Sequence, residues 1–508
     1  MKIEGKLKSK KMAVIISYLM VLMNTASNLV LTPVYLKYLG FDMYGLYQMV
    51  YAVAHYILIL DFGIGTTMVR YISGYHAKND YEAERNFSAH VLGIVIVIYV
   101  LIFIAGGIIN SQLLNIYPTI EANESGIAHT IFMIMIATIA VTIIERYVQG
   151  SIMAYEHFVT VRAISLLKVS AKMVLTILML WNGMGVIAIV AADLLVTCLS
   201  TLSMTVYSLK YLKFRVKFSR FDKILIGSIC SFMFAIFLQS IVQYVNNVVD
   251  KTILGIMTTK ADVAVYSVAM TFITLFNSLP SEISSVFLPQ ATKLVAHSDK
   301  REVLTNFVAR PGRYQFMICG GIICGFFLFG REFITLWAGE DSINAWVIAL
   351  VIMIPNMIPL IENTILSILD AKKKRLFRSL VLFGISIVNV IVSVILVSRY
   401  GMLGAPVGTA LSFIVGYGII MNIYYQKVIG IDVAVMFKNI FSKTWLCLAA
   451  TSVITSFLNV AFSTYSWITL MIKIAIFCVL FLLFMAVYGF SEMEKNDISG
   501  IVKRIIRR

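Results

Sequence analysis

Long unbroken blocks of apolar residues limit the folds open to this chain more than any other feature. The blocks run for about 20 to 26 residues, and an α-helix of that length crosses a hydrocarbon layer of roughly 30 Å. Hydrophobic residues make up 60% of the 508 positions and charged residues 13%, so a soluble protein of this length could not bury the apolar side chains. The sequence therefore predicts an all-α polytopic membrane protein.

About fourteen blocks are long enough to span a membrane. In chain order they are 12–36, 44–68, 88–109, 126–150, 160–181, 186–208, 224–249, 263–288, 312–334, 346–369, 379–397, 405–426, 444–462 and 467–489. We predict an N-terminal six-helix lobe at 1–208, a C-terminal six-helix lobe at 209–426, and a helix pair with a cytoplasmic tail at 427–508. With 8 prolines and no long polar stretch, no separate soluble domain is expected.

The basic residues concentrate on one side of the predicted membrane. About 35 of the 42 Lys and Arg residues fall at the termini and in every second loop, as at 210–217 and 372–375. Since the cytoplasmic side carries such an excess, we place both termini in the cytoplasm and the chain in a bacterial plasma (inner) membrane. The net charge of +16 is then a topology signal, and no nucleic-acid partner is expected.

The sequence shows no sign of metal or nucleotide chemistry. The six cysteines lie in apolar blocks without a Cys-x-x-Cys or Cys/His cluster, so neither a disulfide framework nor a metal site is indicated. Gly5-Lys6 is the only Gly-Lys pair and lacks a Walker A context. We expect no cofactor, so active transport would draw on an H+ or Na+ gradient or on a partner protein.

A weak internal repeat relates the two predicted lobes. With shifts of about 217 to 219 residues, polar residues of the first half align with polar residues of the second. Asn24 and Asn28 align with Gln243 and Asn247, and Glu145 aligns with Glu362. Both halves begin on the cytoplasmic side, so this is a parallel repeat, and the transport path is expected between the halves.

Polar residues recur along one face of helix 5. Spacings of 3, 4 and 4 place on that face Ser165, Lys168, Lys172 and Thr176. Two interpretations remain open. The stripe could receive a phosphate or an acidic sugar in a central cavity, or Lys168 could pair with Glu145 and Lys172 with Asp193. Arg70 and the four aligned amides at 24, 28, 243 and 247 are further candidates for contact with an anionic head group.

Acidic residues recur at one predicted depth near the cytoplasmic helix ends. They are Asp61, Glu145, Glu282 and Glu362, and Asp193 joins them as a candidate for cation coupling or gating. Charges inside spanning helices are costly, so such residues either line a cavity or pair with nearby cations. Gly63 and Gly65 weaken helix 2 beside Asp61, and pairing of Asp61 with Arg70 would require a break there. Lys473 in helix 14 is expected to contact a lipid phosphate or an acid on another helix.

Local motifs along the chain resemble one transporter family. They are the runs 32–40 (TPVYLKYLG), 44–47 (YGLY), 61–65 (DFGIG), 250–255 (DKTILG) and 401–404 (GMLG), with Arg70-Tyr71 and Val265-Tyr266. The sequence resembles the polysaccharide-transporter (oligosaccharide flippase) family, in the superfamily that includes multidrug-and-toxin extruders and the lipid II flippase. The resemblance implies two six-helix lobes around a cationic central cavity, with alternating access.

The resemblance also implies the cargo and its direction. That cargo is a polyprenyl-pyrophosphate-linked glycan, passed from the cytoplasmic to the outer leaflet, with membrane lipid and other polysaccharide-assembly proteins as partners. Helices 13 and 14 would correspond to the extra helix pair of the lipid II flippase. Alternatives are a cation-coupled drug antiporter of the same fold, a lipid II flippase, a scramblase-like role, and a membrane polymerase or glycosyltransferase. The last would need a larger outer loop than residues 110–125, so we do not expect an enzyme.

Overall fold

The computed structural model describes the backbone of residues 2–297, 300–372, 374–462 and 465–490. A minority of side chains in these ranges, including those of residues 242–247 and 281–290, fall outside the description. The regular structure of the described residues is helical throughout and contains no strand, which confirms the predicted all-α fold.

The chain contacts divide into two compact units, Met1–Ser267 and Val268–Arg508. The helices of the first unit are α1 (Lys2–Ile57), α2 (Ile64–Ala77), α3 (Tyr81–Ile116), α4 (Ser125–Ala154), α5 (Phe158–Trp181), α6 (Ile187–Lys210) and α7 (Lys223–Met257). Helix α8 (Lys260–His297) contains the division between the units. Because α7 packs against α1, it belongs to the first unit, and the lobe boundary predicted at 208/209 stays a prediction.

The second unit continues with nine further helices among the described residues. They are α9 (Arg301–Ala338), α10 (Asn344–Ile361), α11 (Ile365–Ala371), α12 (Arg375–Tyr400), α13 (Gly404–Phe413), α14 (Asn422–Tyr424), α15 (Val433–Phe441), α16 (Thr444–Ala461) and α17 (Trp467–Phe484). A π-helical stretch, Ile414–Met421, joins α13 to α14. Helix α9 packs against α10, α15, α16 and α17, and so holds the C-terminal helices to this unit.

Eleven helical stretches among the described residues are long and apolar enough to cross a membrane. Two of them, Leu19–Ala77 and Phe377–Ile429, contain 59 and 53 residues, more than twice the ~20 residues that one crossing requires. Each of these two holds two predicted spans, and α7 covers one more. The helices therefore agree with the predicted number of about fourteen crossings.

Residues with left-handed backbone angles mark the bends in the first unit. Gly40, with a φ of 73°, lies between the first two predicted spans, and glycine adopts this conformation without the usual steric cost. Within the second predicted span, Phe62 (φ 47°) and Gly63 (φ 68°) interrupt the helix, and α2 begins at Ile64. The weakness predicted around Gly63 is therefore a true break.

Helix α4 lies at the centre of the first unit and packs against α2 and α6. Its crossing with α2 is very close at Gly150. A Cβ atom there would lie 2.6 Å from the carbonyl oxygen of Gly65 and 2.7 Å from Cβ of Met68. Small residues allow such approaches between helices in membranes. This crossing fixes the position of the C-terminal half of α4, which carries Glu145 and Arg146.

Candidate functional site

The two lysines of α5 each contact a carboxylate. Lys168 Nζ donates to Glu145 Oε2 at 2.6 Å, and Ser200 Oγ of α6 donates to Glu145 Oε1 at 2.5 Å. Lys172 Nζ lies 2.8 Å from Asp193 Oδ1, also on α6. Both ion pairs that the sequence allowed are therefore present, and they tie α5 to its neighbours.

These pairs are only partly shielded. The exposed fractions of the side chains are 23% for Lys168, 31% for Lys172 and 34% for Asp193. Of the other stripe residues, Ser165 is half-buried and Thr176 is buried. An anion that reached either lysine would have to compete with a carboxylate already in place. Binding of a head group by this stripe stays a prediction.

A small cavity opens beside the Lys172–Asp193 pair. Its volume is about 120 Å³, and its polar and aromatic walls include Tyr47, Tyr51, His55, Thr142, Arg146 and Asp193. Typical ligand pockets measure roughly 300–1,000 Å³. Within this unit the cavity thus has room for a small polar group and no room for a whole glycan.

Aromatic rings follow one another along the α1 wall of this cavity. The ring centres of Tyr47 and Tyr51 lie 5.8 Å apart, and those of Tyr51 and His55 lie 3.8 Å apart. The spacing of four residues places all three rings on one helical face. None of the three was predicted as a site residue, although this periodicity was visible in the sequence.

Lys251 lies beside the same aromatic face and was not among the predicted site residues. Its Nζ donates to Gln48 Oε1 at 2.9 Å and lies 6.0 Å from the centre of the Tyr51 ring. The predicted span ended at 249 because Asp250 and Lys251 end the apolar block. In the structure α7 continues to Met257, so Lys251 belongs to the helix and its side chain is half-buried.

Asp61 lies at the break between the two parts of helix 2 and pairs with a residue of α4. Its Oδ2 lies 3.5 Å from Arg146 Nη1, and its side chain is largely buried. Arg70 is exposed, and its guanidinium lies 4.2 Å from the centre of the Phe232 ring. The helix does break beside Asp61, as a pairing of Asp61 with Arg70 would have required. However, Asp61 pairs with Arg146 and not with Arg70.

The remaining candidate residues are spread over the chain. Glu362 is buried between α10 and α11 and accepts a hydrogen bond from Asn422 Nδ2 at 2.8 Å. Glu145, which aligns with Glu362 in the internal repeat, likewise accepts a hydrogen bond from a side chain further along its own unit. Asn24 and Asn28 are exposed on α1. The side chains of Gln243, Asn247 and Glu282 lie outside the described residues. Coupling or gating by the acidic group stays a prediction.

Lys473 of α17 contacts an acid on another helix, the second of the two partners considered for it. Its Nζ donates to Glu332 Oε2 of α9 at 2.7 Å, and both side chains are almost fully buried, with 1% and 5% exposed. This pair joins the last spanning helix to the rest of the second unit.

Comparison with known proteins identifies the family. The polysaccharide biosynthesis protein family matches residues 12–295, more than half of the chain. The chain belongs to this family. No curated protein is significantly similar to this family member in sequence.

Solved structures share the fold of this family member over most of their length. A lipid II flippase, MurJ, in an inward closed conformation superposes with a TM-score of 0.73 and 15% identity, covering 98% of this chain and 99% of that chain. An inward-facing multidrug resistance MATE family transporter of the MOP superfamily superposes with a TM-score of 0.64 and 14% identity. The match covers 82% of this chain and 96% of that chain. A Vibrio cholerae MATE transporter superposes with a TM-score of 0.56 and 12% identity. The match covers 84% of this chain and 99% of that chain.

Identities this low show the fold alone. They confirm the predicted all-helical membrane fold. The matched family is described as polysaccharide biosynthesis proteins, and the similar structures are those of a flippase and of transporters.

Proposed function

We propose that this family member is a flippase for a polyprenyl-pyrophosphate-linked oligosaccharide. It moves the cargo from the cytoplasmic to the outer leaflet of a bacterial plasma membrane by alternating access, for export of cell-surface polysaccharide. The family match supports the glycan class of the cargo. The fold shared with a lipid II flippase and with MATE transporters supports transport across a bilayer.

The cations inside the first unit are the observation that carries the choice of an anionic cargo. Lys168, Lys172, Arg146 and Lys251 all lie on helices of this unit. Each such charge costs roughly 2.5–3.5 kcal/mol at the centre of a spanning helix, so a chain retains it for pairing or for function. A pyrophosphate head cannot enter hydrocarbon alone, and cations along its path reduce that barrier.

The membrane potential favours the proposed direction. Moving one negative charge out of a cell whose interior is negative releases about 2.3 kcal/mol per 100 mV. An H+ or Na+ gradient would add to this driving force through the acidic residues Asp61, Glu145, Glu282 and Glu362. Both forms of coupling belong to the proposal.

A cation antiporter is the second candidate, and one observation favours it. The cavity of the first unit combines aromatic walls with an aspartate, Asp193, which suits a cationic guest. However, Lys172 already neutralises this aspartate at 2.8 Å. A third candidate, lipid II transport, differs from our proposal in the group that the polyprenyl pyrophosphate carries.

Reconstitution into vesicles separates these functions. Vesicles with the full chain receive a fluorescent polyprenyl-pyrophosphate oligosaccharide, fluorescent lipid II, or a lipophilic cationic dye. An impermeant quencher reports transbilayer movement of the two lipids, and dye efflux reports antiport. We expect the oligosaccharide lipid to cross at least tenfold faster than in protein-free vesicles, and faster with a potential oriented to drive anions across. Dye efflux without lipid movement would contradict the proposal, and movement of lipid II alone would change the assigned head group.

A further inference from the structure

We propose that Lys251 of α7 is the residue that binds the pyrophosphate of the cargo in the first unit. The inference rests on the proposed flippase function and assigns its anion contact. It assigns the anion contact to Lys251 and not to Lys168 or Lys172. The predicted seventh span, 224–249, ended before Lys251.

The other cations of this region already have carboxylate partners. Lys168 contacts Glu145 at 2.6 Å, and Lys172 contacts Asp193 at 2.8 Å. Arg146 lies 3.5 Å from Asp61. A phosphate arriving at any of these cations would meet a like charge and would have to displace it. Such sites are therefore poor first contacts for an anion.

Lys251 differs from them in its surroundings. Among the described residues its ammonium contacts the neutral side-chain oxygen of Gln48 and the ring of Tyr51, and it has no carboxylate partner. The neighbouring carboxylate, Asp250, accepts a hydrogen bond from the Tyr266 hydroxyl at 2.6 Å. The positive charge of Lys251 is consequently not cancelled by any contact of the described residues.

The contacts of Gln48 hold this ammonium in position. Its amide oxygen accepts from Lys251, while its Nε2 donates to the Tyr44 hydroxyl at 2.8 Å. An ammonium carries three N–H donors, and Gln48 uses one. The other donors can reach the oxygens of a phosphate in charge-assisted hydrogen bonds, which are roughly twice as strong as neutral ones.

The place of Lys251 also suits a head group in transit. Its side chain is half-buried, and its neighbour Tyr51 lines the 120 Å³ cavity together with His55. Low local polarity strengthens attraction for an anion and repulsion of a cation. The chemical class that fits is a phosphate or pyrophosphate, and a cationic drug does not fit.

Binding of short lipids to the full chain in detergent tests the inference. The probes are geranylgeranyl pyrophosphate, the uncharged alcohol geranylgeraniol, and inorganic pyrophosphate, which distinguishes a lipid head from a free anion. The variants are Lys251→Met, which keeps an unbranched side chain one atom shorter and without charge, and Lys251→Arg, which keeps the charge. Lys37→Met, at an exposed position of α1, is the matched control.

We expect Lys251→Met to weaken binding of the lipid pyrophosphate about tenfold or more and to leave binding of the alcohol unchanged. Lys251→Arg should restore most of the loss, and Lys37→Met should bind like the parent. Weak binding of inorganic pyrophosphate by the parent would assign the site to a lipid head, and equally tight binding would assign it to free pyrophosphate.

The outcomes separate the inference from the proposed function. If the parent prefers the pyrophosphate lipid and Lys251→Met keeps that preference, the role of Lys251 is overturned while the flippase function stands. If the parent does not distinguish the two lipids, both the role of Lys251 and the proposed function are contradicted. A purely structural role would lower the melting temperature and the binding of both lipids together, which also overturns the inference.

Discussion

Glu145 accepts hydrogen bonds from two helices at once, from Lys168 on α5 and from Ser200 on α6. Its side chain is buried, and that of Lys168 is 23% exposed. Removal of one member of a buried ion pair leaves an uncompensated charge and costs about 3–5 kcal/mol. Because Lys168 retains some access to solvent or lipid head groups, the low end of this range applies.

We therefore expect Glu145→Ala to lower the free energy of unfolding by about 3 kcal/mol. The reason is that Lys168 loses its counter-charge in a helical interior. Unfolding of purified protein in mixed detergent micelles, followed by helical circular dichroism, measures the change.

The control is the double variant Glu145→Ala/Lys168→Met, which removes both charges. It should recover most of the stability, since replacing a buried pair with apolar side chains is often nearly neutral. Equal losses in the single and double variants would show that the charge pairing is not what stabilises this junction.

The sequence allowed the two ion pairs of α5 as one of two interpretations, but it identified neither Arg146 as the partner of Asp61 nor Glu332 as the partner of Lys473. Helical spacing and depth place Lys168 near Glu145, and Lys172 near Asp193, because both are regular positions on neighbouring helices. Asp61 reaches Arg146 only through the left-handed turn at Phe62 and Gly63, and periodicity does not encode such a break. Contacts that depend on irregular backbone could not be derived from the pattern.

At the scale of elements, the crossing of α2 and α4 depends on one glycine. A Cβ atom at Gly150 would lie 2.6 Å from the Gly65 carbonyl oxygen, inside van der Waals contact. Because backbone atoms form this contact, no side chain can move aside to accept a methyl group. The helices themselves would have to separate.

We expect Gly150→Ala to destabilise the protein by about 1–3 kcal/mol, the usual cost of overpacking. The matched control is Gly107→Ala on α3, where nothing lies within 4 Å of the new Cβ. That variant should be neutral or slightly stabilising, since alanine favours helix over glycine. Melting temperatures of the two variants in the same detergent provide the comparison. If both melt alike, the crossing is not tightly packed.

The elements themselves were largely predictable, and their ends were not. Apolar blocks located every spanning helix of the described residues, because hydrocarbon thickness sets their length. The predicted span 224–249 stopped at Asp250, whereas α7 continues to Met257. A charged pair ends a hydropathy block without ending a helix, and Lys251 was missed for that reason. The predicted span 346–369 is divided at Glu362 between α10 and α11.

At the scale of the whole molecule, an even number of crossings places both termini on one side. The distribution of Lys and Arg predicts that this side is the cytoplasm. We expect green fluorescent protein to fluoresce when fused to either terminus. Alkaline phosphatase should be active when inserted in the loop between α3 and α4 and inactive in the loop between α2 and α3. Active enzyme in the latter loop would invert the predicted orientation.

The Lys473–Glu332 pair has a consequence for how the protein is made. Its two members are 141 positions apart, so Glu332 leaves the ribosome long before its partner exists. At roughly 5–20 residues per second, the wait lasts about 7 to 28 s. During that time α9 holds a carboxylate that the lipid disfavours, and the nascent chain must keep it away from the lipid. Biogenesis of the C-terminal unit is thus complete only when the final hydrophobic segment has been synthesised.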